Sequence, residues 1–321
     1  MNNTLKDIAR FIEAHDGFGI IGHVSPDGDS FGSALGLHHA LKAMGKKSVP
    51  LFADGMTKYC SFLPGADEVR TDASAEEYPF AIAVDCADHK RLGSVAEYFD
   101  KAEHRVCIDH HVTNVGYADM NYVETVAATG ELIYRLLGEM DFTPDRNTAA
   151  CLYTAIATDT GNFSFNNTTS NSFRITSELV GCGIALPEIN RRLFSEKSLG
   201  HIRLQGRIIE KMHMSDDCRV SVSTVSCDDI RSLGATLEDA ENLIDTLRVI
   251  DTVEAAAVLK EIGDGSIRVS MRGKVSADVS SVATRFGGGG HKLAAGCTLY
   301  TDLDEAATII FNALCECVKE Y

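Results

Sequence analysis

The chain has no apolar run long enough to cross a membrane. Its longest uninterrupted stretches, such as Phe80 to Val84 and Ala255 to Leu259, fall far short of the roughly 18 residues that suggest a span. Its start, Met1 to Phe18, lacks the basic opening, apolar middle and small-residue cleavage site of a signal peptide, so a cytoplasmic protein is expected. Cysteine is sparse. Ten thiols in 321 residues lie well below disulfide-scaffold density, and they are scattered singly. Cys86, Cys107 and Cys151 fall in apolar runs, where a reduced thiol behaves as a small hydrophobe. The one close pair, Cys315 and Cys317, lacks zinc spacing. Positive charge is short as well: 30 Lys and Arg face 46 Asp and Glu, a formal charge of -16. So acidic a chain is a poor candidate for gripping long nucleic acid through its phosphates, although local basic pockets remain open to it.

What is present is globular. With 45% hydrophobic and 24% charged residues, disorder and collagen-like repetition are excluded, and the length suggests about two domains. The first half alternates β-rich runs (Phe18 to Val24, Ser48 to Ala53, Phe80 to Asp85, Arg105 to Asp109) with helical stretches near Gly32 to Met44, Val95 to Ala102, Glu131 to Met140 and Asp145 to Thr158. Such alternation predicts an α/β domain, a mainly parallel sheet flanked by helices, over residues 1–186. Residues 187–214 turn helical and more polar and read as a connector. Beyond them, Arg219 to Ser226 and Ser266 to Arg272 alternate like half-buried strands around a helical stretch from Glu238 to Ile250, and a last helix runs from about Leu303 to Val318. Residues 215–321 are therefore expected to form a smaller α+β domain.

Polar clusters end the apolar runs of the first half. His23-Val-Ser-Pro-Asp27-Gly-Asp29 follows the first strand, Asp85 ends another, Asp109-His110-His111 ends a third, and Asp159-Thr-Gly161 closes a helix-like run. Ligands of open α/β sheets bind beyond the carboxyl ends of the strands, so folding would gather these segments at one edge. Each cluster has a plain structural alternative. Asp29 or Ser30 could simply N-cap the next helix, Asp85 could be a solvated loop carboxylate, and Gly161 a helix stop. Together, His23, Asp27, Asp29, Asp85, His110 and Asp159 supply six N and O donors, about what two divalent ions roughly 3.5–4 Å apart require. A fifth cluster, Phe286-Gly287-Gly-Gly-Gly290-His291-Lys292, could bring backbone N–H groups close to a phosphate, although a glycine run is often only a flexible loop. It is neither a Walker A motif nor a dinucleotide fingerprint.

In this order the five clusters resemble the DHH phosphoesterase superfamily, its DHH/DHHA1 branch, and most closely the NrnA-like subgroup of nanoRNase and pAp phosphatase enzymes. His23-x-x-Pro26-Asp27-x-Asp29-x-x-Gly32-Ser33, Asp85, Asp109-His110-His111 and Asp159 match its four metal motifs. Gly288-Gly289-Gly290-His291-x-x-Ala294-Ala295-Gly296 matches the DHHA1 substrate loop. The resemblance implies an N-terminal DHH domain and a C-terminal DHHA1 domain. It implies one metal on His23, Asp27 and Asp85 and a second on Asp29, Asp85, His110 and Asp159, with Asp85 bridging and Mn2+ the usual ion. It further implies that His111 faces the scissile phosphate, that Asp109 orients the histidines, and that Arg272, Gly289, Gly290 and His291 bind a phosphate or nucleotide.

The expected activity is two-metal-dependent hydrolysis of very short RNA oligonucleotides to mononucleotides, with dephosphorylation of 3′-phosphoadenosine 5′-phosphate (pAp) as a second activity. A linear or cyclic dinucleotide phosphodiesterase acting on pApA or cyclic-di-AMP is the alternative within the same chemistry. A non-catalytic nucleotide sensor is disfavoured because no motif carboxylate is missing. Substrates are short oligoribonucleotides, pAp or dinucleotides, with no membrane partner, and a homodimer is compatible with the sequence.

Overall fold

The structure, a computed structural model, describes residues 2–275 and 277–319, so the expected domain limits at residues 1 and 321 lie outside the described residues. The chain divides into two compact units, Met1–Glu196 and Lys197–Tyr321. Among the described residues no helix is long and apolar enough to cross a membrane.

In chain order the first unit contains α1 (Leu5–Ala14), β1 (Phe18–Ile21), α2 (Gly28–Ala43), β2 (Ser48–Leu51), β3 (Phe80–Val84) and α3 (Ala96–Lys101). Then come β4 (His104–Asp109), β5 (Met120–Val123), α4 (Thr129–Glu139), α5 (Arg146–Asp159), α6 (Ser170–Gly181) and α7 (Leu186–Asn190). The five strands form one sheet in the order β2-β1-β3-β4-β5, every pairing parallel. That is the arrangement expected of this half. Phe18–Ile21 is buried throughout and Phe80–Val84 nearly so, as central parallel strands covered on both faces must be, whereas the edge strand β5 is only half-buried. The chain leaves β1 towards β2 and returns as β3 on the other side of β1. The topological switch point therefore lies between the carboxyl ends of β1 and β3, where His23 and Asp85 follow. Helix α1 shows how local sequence sets such elements: Thr4 and Asp7 form a capping box, and Leu5, Ile8, Ala9 and Ile12 make one buried stripe.

The second unit runs α8 (Leu199–Glu210), β6 (His213–Met214), β7 (Val220–Val225), α9 (Cys227–Ser232), α10 (Ile244–Arg248), β8 (Ala255–Glu261) and β9 (Ile267–Gly273), then α11 (Val279–Arg285), β10 (Gly289–His291), β11 (Ala294–Leu299) and α12 (Leu303–Lys319). Its sheet has the order β10-β11-β9-β8-β7-β6 and is antiparallel except for β7 with β8. Val269, Met271, Ala295 and Cys297 join Ile310 and Leu314 of α12 in one core cluster. A second cluster joins Val258 and Ala256 to Leu204 and Ile208 of α8.

Two segments differ from the sequence expectation. Residues 187–214, read as one helical connector, are split. α7 and a π-type turn over Arg191–Ser195 belong to the first unit, Glu196 is extended, and Ser198 caps α8, which packs into the second. The helix expected over Glu238 to Ile250 is a 3-10 turn at Glu238–Ala240 followed by the short α10. Asn242 between them is left-handed, φ 58°, which an uninterrupted helix cannot accommodate. Within the glycine run, Gly289 and Gly290 begin edge strand β10, paired with β11, and Gly287 and Gly288 precede it. A Cβ on Gly288 would lie 2.1 Å from the Gly296 carbonyl oxygen, so that close approach excludes any side chain there.

Candidate metal centre

The first unit brings its four polar clusters together. Asp27 is the N-cap of α2: its Oδ1 accepts from the backbone N–H groups of Asp29 (3.1 Å) and Ser30 (3.0 Å). The helix thus begins at Gly28, a turn before the Gly32 start expected from the sequence, and the cap is Asp27 rather than Asp29 or Ser30. Capping and site geometry coexist, because Asp27 Oδ2 lies 3.9 Å from His23 Nε2. The His23 ring is fixed from behind, with Nδ1 2.8 Å from the Val24 carbonyl oxygen, which leaves Nε2 aimed at Asp27 and, at 3.5 Å, at Asp85 Oδ2.

Asp85 sits at the junction. It is 1% exposed and follows β3 in a left-handed conformation, φ 54°, a costly backbone state for a non-glycine residue and one found at functional sites. Its Oδ2 faces His23, while its Oδ1 accepts from the Thr129 hydroxyl (3.0 Å) and lies 3.5 Å from His110 Nε2 and 3.7 Å from His111 Nδ1. Asp29 is held at the start of α4: its carboxylate accepts from Thr129 N (2.6 Å), Gly130 N (3.0 Å) and the Ser33 hydroxyl (2.9 Å). His110 Nδ1 lies 3.1 Å from the Val126 carbonyl oxygen, so its Nε2 points at Asp85, at Asp159 Oδ2 (3.6 Å) and at Asp29 Oδ2 (3.9 Å). Asp159 ends α5 and is followed by Gly161, Asn162 and Phe163, all at positive φ.

Asp109 is fully buried. It accepts from His111 Nδ1 (2.7 Å), the Asn114 side-chain amide (2.7 Å) and the His110 backbone N–H (2.9 Å), which sets the His111 ring at 71° to that of His110.

The electrostatics are those of a site built for cations. Burial raises Asp29 well above the ordinary carboxylate range, and the charges of Asp85, Asp159 and Asp27 add to the rise. Burial likewise lifts Asp159 to about 7 against the opposing pull of His110. Asp85 goes the other way: burial alone would raise it, but the hydrogen bond and charge of His23 and the charges of His110 and His111 hold it at about 2. The His111 ring, despite burial, is pushed up to about 9 by Asp109 and Asp85. Buried carboxylates that repel one another are what a bound cation relieves. Three groups of donors each lie within 4.8 Å of one another: His23, Asp27 and Asp85; Asp29, His110 and Asp159; and Asp85, His110 and His111. Imidazole and carboxylate donors in such sets fit divalent ions of the Mn2+ and Mg2+ kind.

Residues outside the predicted ligand set complete the site. Ser33, Thr129 and Asn114 hold its carboxylates, and an Arg91 Nη lies 2.9 Å from His23 Nδ1. Thr129 and Asn114 reach it through tertiary contacts that no local spacing announces. The expected substrate residues lie in the second unit, Arg272 on β9 and Gly289, Gly290 and His291 on β10. Ala294 pairs with both Arg272 and His291, so these two side chains share one face of the sheet.

Residues 18–156 match the DHH family N-terminal domain, and residues 219–320 match the DHHA1 domain. The bifunctional oligoribonuclease and PAP phosphatase NrnA of Thermus thermophilus is 31% identical over 97% of this chain and 94% of its own length. The protein of the same name from Bacillus subtilis is 30% identical over 97% and 98%. Among solved structures, an exopolyphosphatase-related protein from Bacteroides fragilis superposes with a TM-score of 0.89 at 24% identity, covering 97% of this chain and 95% of that one, which shows the shared fold. The chain belongs to the DHH/DHHA1 phosphoesterase family, among the relatives of NrnA.

Proposed function

We propose that the protein hydrolyses very short RNA oligonucleotides to mononucleotides and removes a phosphate from pAp, at two divalent ions, Mn2+ by preference, in the first unit. One observation carries the reading: His23, Asp27, Asp29, Asp85, His110 and Asp159, drawn from four distant segments, fall into neighbouring donor groups around the buried His23, Asp29 and Asp85. The near-full-length similarity to NrnA supports the substrate class. His23, Asp27 and Asp85 would hold one ion and Asp29, Asp85, His110 and Asp159 the other, with Asp85 between them. When bound, such ions activate water and neutralise charge on the phosphoryl oxygens.

The remaining work falls to the chain's own groups. The Val24 and Val126 carbonyls fix the two imidazoles so that Nε2 of each faces inward. Thr129, Gly130 and Ser33 keep Asp29 from swinging away. Asp109 holds His111 by Nδ1, and His111 serves the leaving oxygen. In the second unit Arg272, Gly289, Gly290 and His291 bind a substrate phosphate. The test is a substrate panel: RNA dinucleotides and pAp should be turned over in the presence of Mn2+ and lost on chelation. Hydrolysis confined to pApA or cyclic-di-AMP would move the assignment to a dinucleotide phosphodiesterase.

A further inference from the structure

At the switch point between β1 and β3, where open α/β sheets hold their ligands, stands a cation to which the ligand set gives no task. It is Arg91, carried by a short 3-10 segment, His89–Val95, a few residues beyond Asp85. Asp88 caps that segment, its Oδ1 accepting from the backbone N–H groups of Lys90 (2.8 Å) and Arg91 (3.2 Å). Two contacts press the segment onto the chain that leaves β1. The Arg91 carbonyl accepts from Val24 N (2.7 Å), and Gly93, left-handed at φ 62°, comes so close that a Cβ there would lie 2.5 Å from Val24 Cγ1. This packing delivers the guanidinium to the back of His23.

Arg105, Arg135 and Arg174 of the same unit are each paired with a carboxylate, on Asp119, Glu124 and Glu178. Arg91 is half-buried beside the acidic donor groups and, among the described residues, pairs with none of them; its side chain reaches His23 Nδ1 alone beyond its own segment, at 2.9 Å. The same nitrogen lies 2.8 Å from the Val24 carbonyl oxygen. These two contacts compete. A guanidinium only donates and a carbonyl only accepts, so Nδ1 must be a bare lone pair for Arg91 and an N–H for Val24. With Nε2 given to an ion, the ring proton sits on Nδ1 and the carbonyl is the partner that fits, which leaves the guanidinium without one. Its charge is also felt by the His111 ring, so it stands within electrostatic reach of both imidazoles. A planar fork of donors in that place matches the oxygens of a phosphoryl group.

We infer that Arg91 is a phosphate-binding residue of the first unit with two positions. In the metal-free site it rests on His23 Nδ1 and holds the ring in the tautomer that cannot ligate through Nε2. Once that tautomer is given up to metal, the guanidinium turns to an oxygen of the phosphoryl group being hydrolysed. The inference rests on the phosphohydrolase reading given above and adds to it a substrate contact and an order of events, metal before phosphate.

The experiment separates metal binding from turnover in wild type, Arg91→Met and Arg91→Lys. Calorimetric titration of metal-free protein with Mn2+ reads the first, and kcat/KM for an RNA dinucleotide and for pAp at saturating Mn2+ reads the second. Arg91→Met should bind Mn2+ at least as tightly as wild type, by up to about tenfold, because a cation beside the site is gone. Its kcat/KM should nevertheless fall by about a hundredfold, the size of one lost donor to a developing anion. Arg91→Lys keeps the charge but not the fork; it should bind Mn2+ like wild type and lose roughly tenfold in turnover, which keeps the comparison readable if the methionine variant does not fold. Mn2+ affinity lost in step with turnover would make Arg91 a mere prop for His23 and overturn the inference, as would kcat/KM within about threefold of wild type in Arg91→Met. Inorganic phosphate titrated into the Mn2+-loaded proteins tests the contact apart from the reaction. If wild type hydrolyses neither substrate yet binds phosphate in a manner that needs Arg91, the proposed function fails and the role of Arg91 stands.

Discussion

Replacing Asp85 with asparagine removes one negative charge from the point where the two donor groups meet. Asparagine suits the position: it tolerates the left-handed backbone at φ 54°, and its carbonyl can still accept from the Thr129 hydroxyl. The charge Asp85 imposes on Asp29 and Asp159 also disappears, so the metal-free fold should survive, with a Tm within a few degrees of wild type. Metal binding should not survive, because both donor groups built around Asp85 lose their shared carboxylate. For wild type, metal at a hundred times its Kd adds about 2.7 kcal/mol of stability. For a unit of 196 residues that raises Tm by roughly 5–10 °C, at about 2–4 °C per kcal/mol. Calorimetry with and without Mn2+ reads the shift directly. It should be present in wild type and nearly absent in Asp85→Asn. Turnover should fall by at least about a thousandfold, as befits ~4 kcal/mol of lost charge stabilisation. A full metal-induced shift in the variant, or a loss of activity under about tenfold, would refute the junction role of Asp85.

Two further outcomes follow from the first unit. A Cβ on Gly32 would lie 2.5 Å from the Cys151 carbonyl oxygen and 2.7 Å from Ala155 N. Gly32→Ala should therefore destabilise by about 1–3 kcal/mol, a Tm loss of several degrees, despite alanine's better helix propensity; a raised Tm would contradict this close approach of α2 to α5. His38 is 1% exposed and burial lowers its ring from the ordinary imidazole value of 6.5 to about 4. Above pH 6.5 it is neutral folded and unfolded; as pH falls, the unfolded chain takes up a proton that the folded chain refuses until about pH 4. Stability should thus be lost across that window, by up to ~3 kcal/mol, and denaturant titrations of His38→Gln should lack this component. Parallel pH slopes for wild type and variant would remove His38 from the account.

Much of the first unit was legible because its central strands are buried on both faces and end in chemistry. Phe80–Val84 reads as an apolar run stopped by Asp85, and His104–Asp109 as one stopped by Asp109-His110-His111. The start of α2 was hidden by its composition: Gly28 and Gly32 look like helix breakers, yet a Cβ at either would strike α5, and tertiary packing outweighs propensity. Arg91, Asn114 and Thr129 carry no motif of their own and become visible only when folding sets them against His23, Asp85 and Asp109, and Ser33, which closes the first motif, shows its role only in its bond to Asp29. In the second unit, Ala255–Glu261 showed only as an apolar stretch, because a fully buried strand has no alternation to betray it. The Glu238 to Ile250 pattern was helical in period, but left-handed Asn242 divides it.

The most direct measurement of the central claim is product analysis of purified protein incubated with an RNA dinucleotide and with pAp, with Mn2+ and again after chelation. Metal-dependent release of mononucleotides from the dinucleotide and of AMP with inorganic phosphate from pAp is the predicted result. Turnover that persists unchanged under chelation, or no hydrolysis of either substrate with metal supplied, would contradict the account.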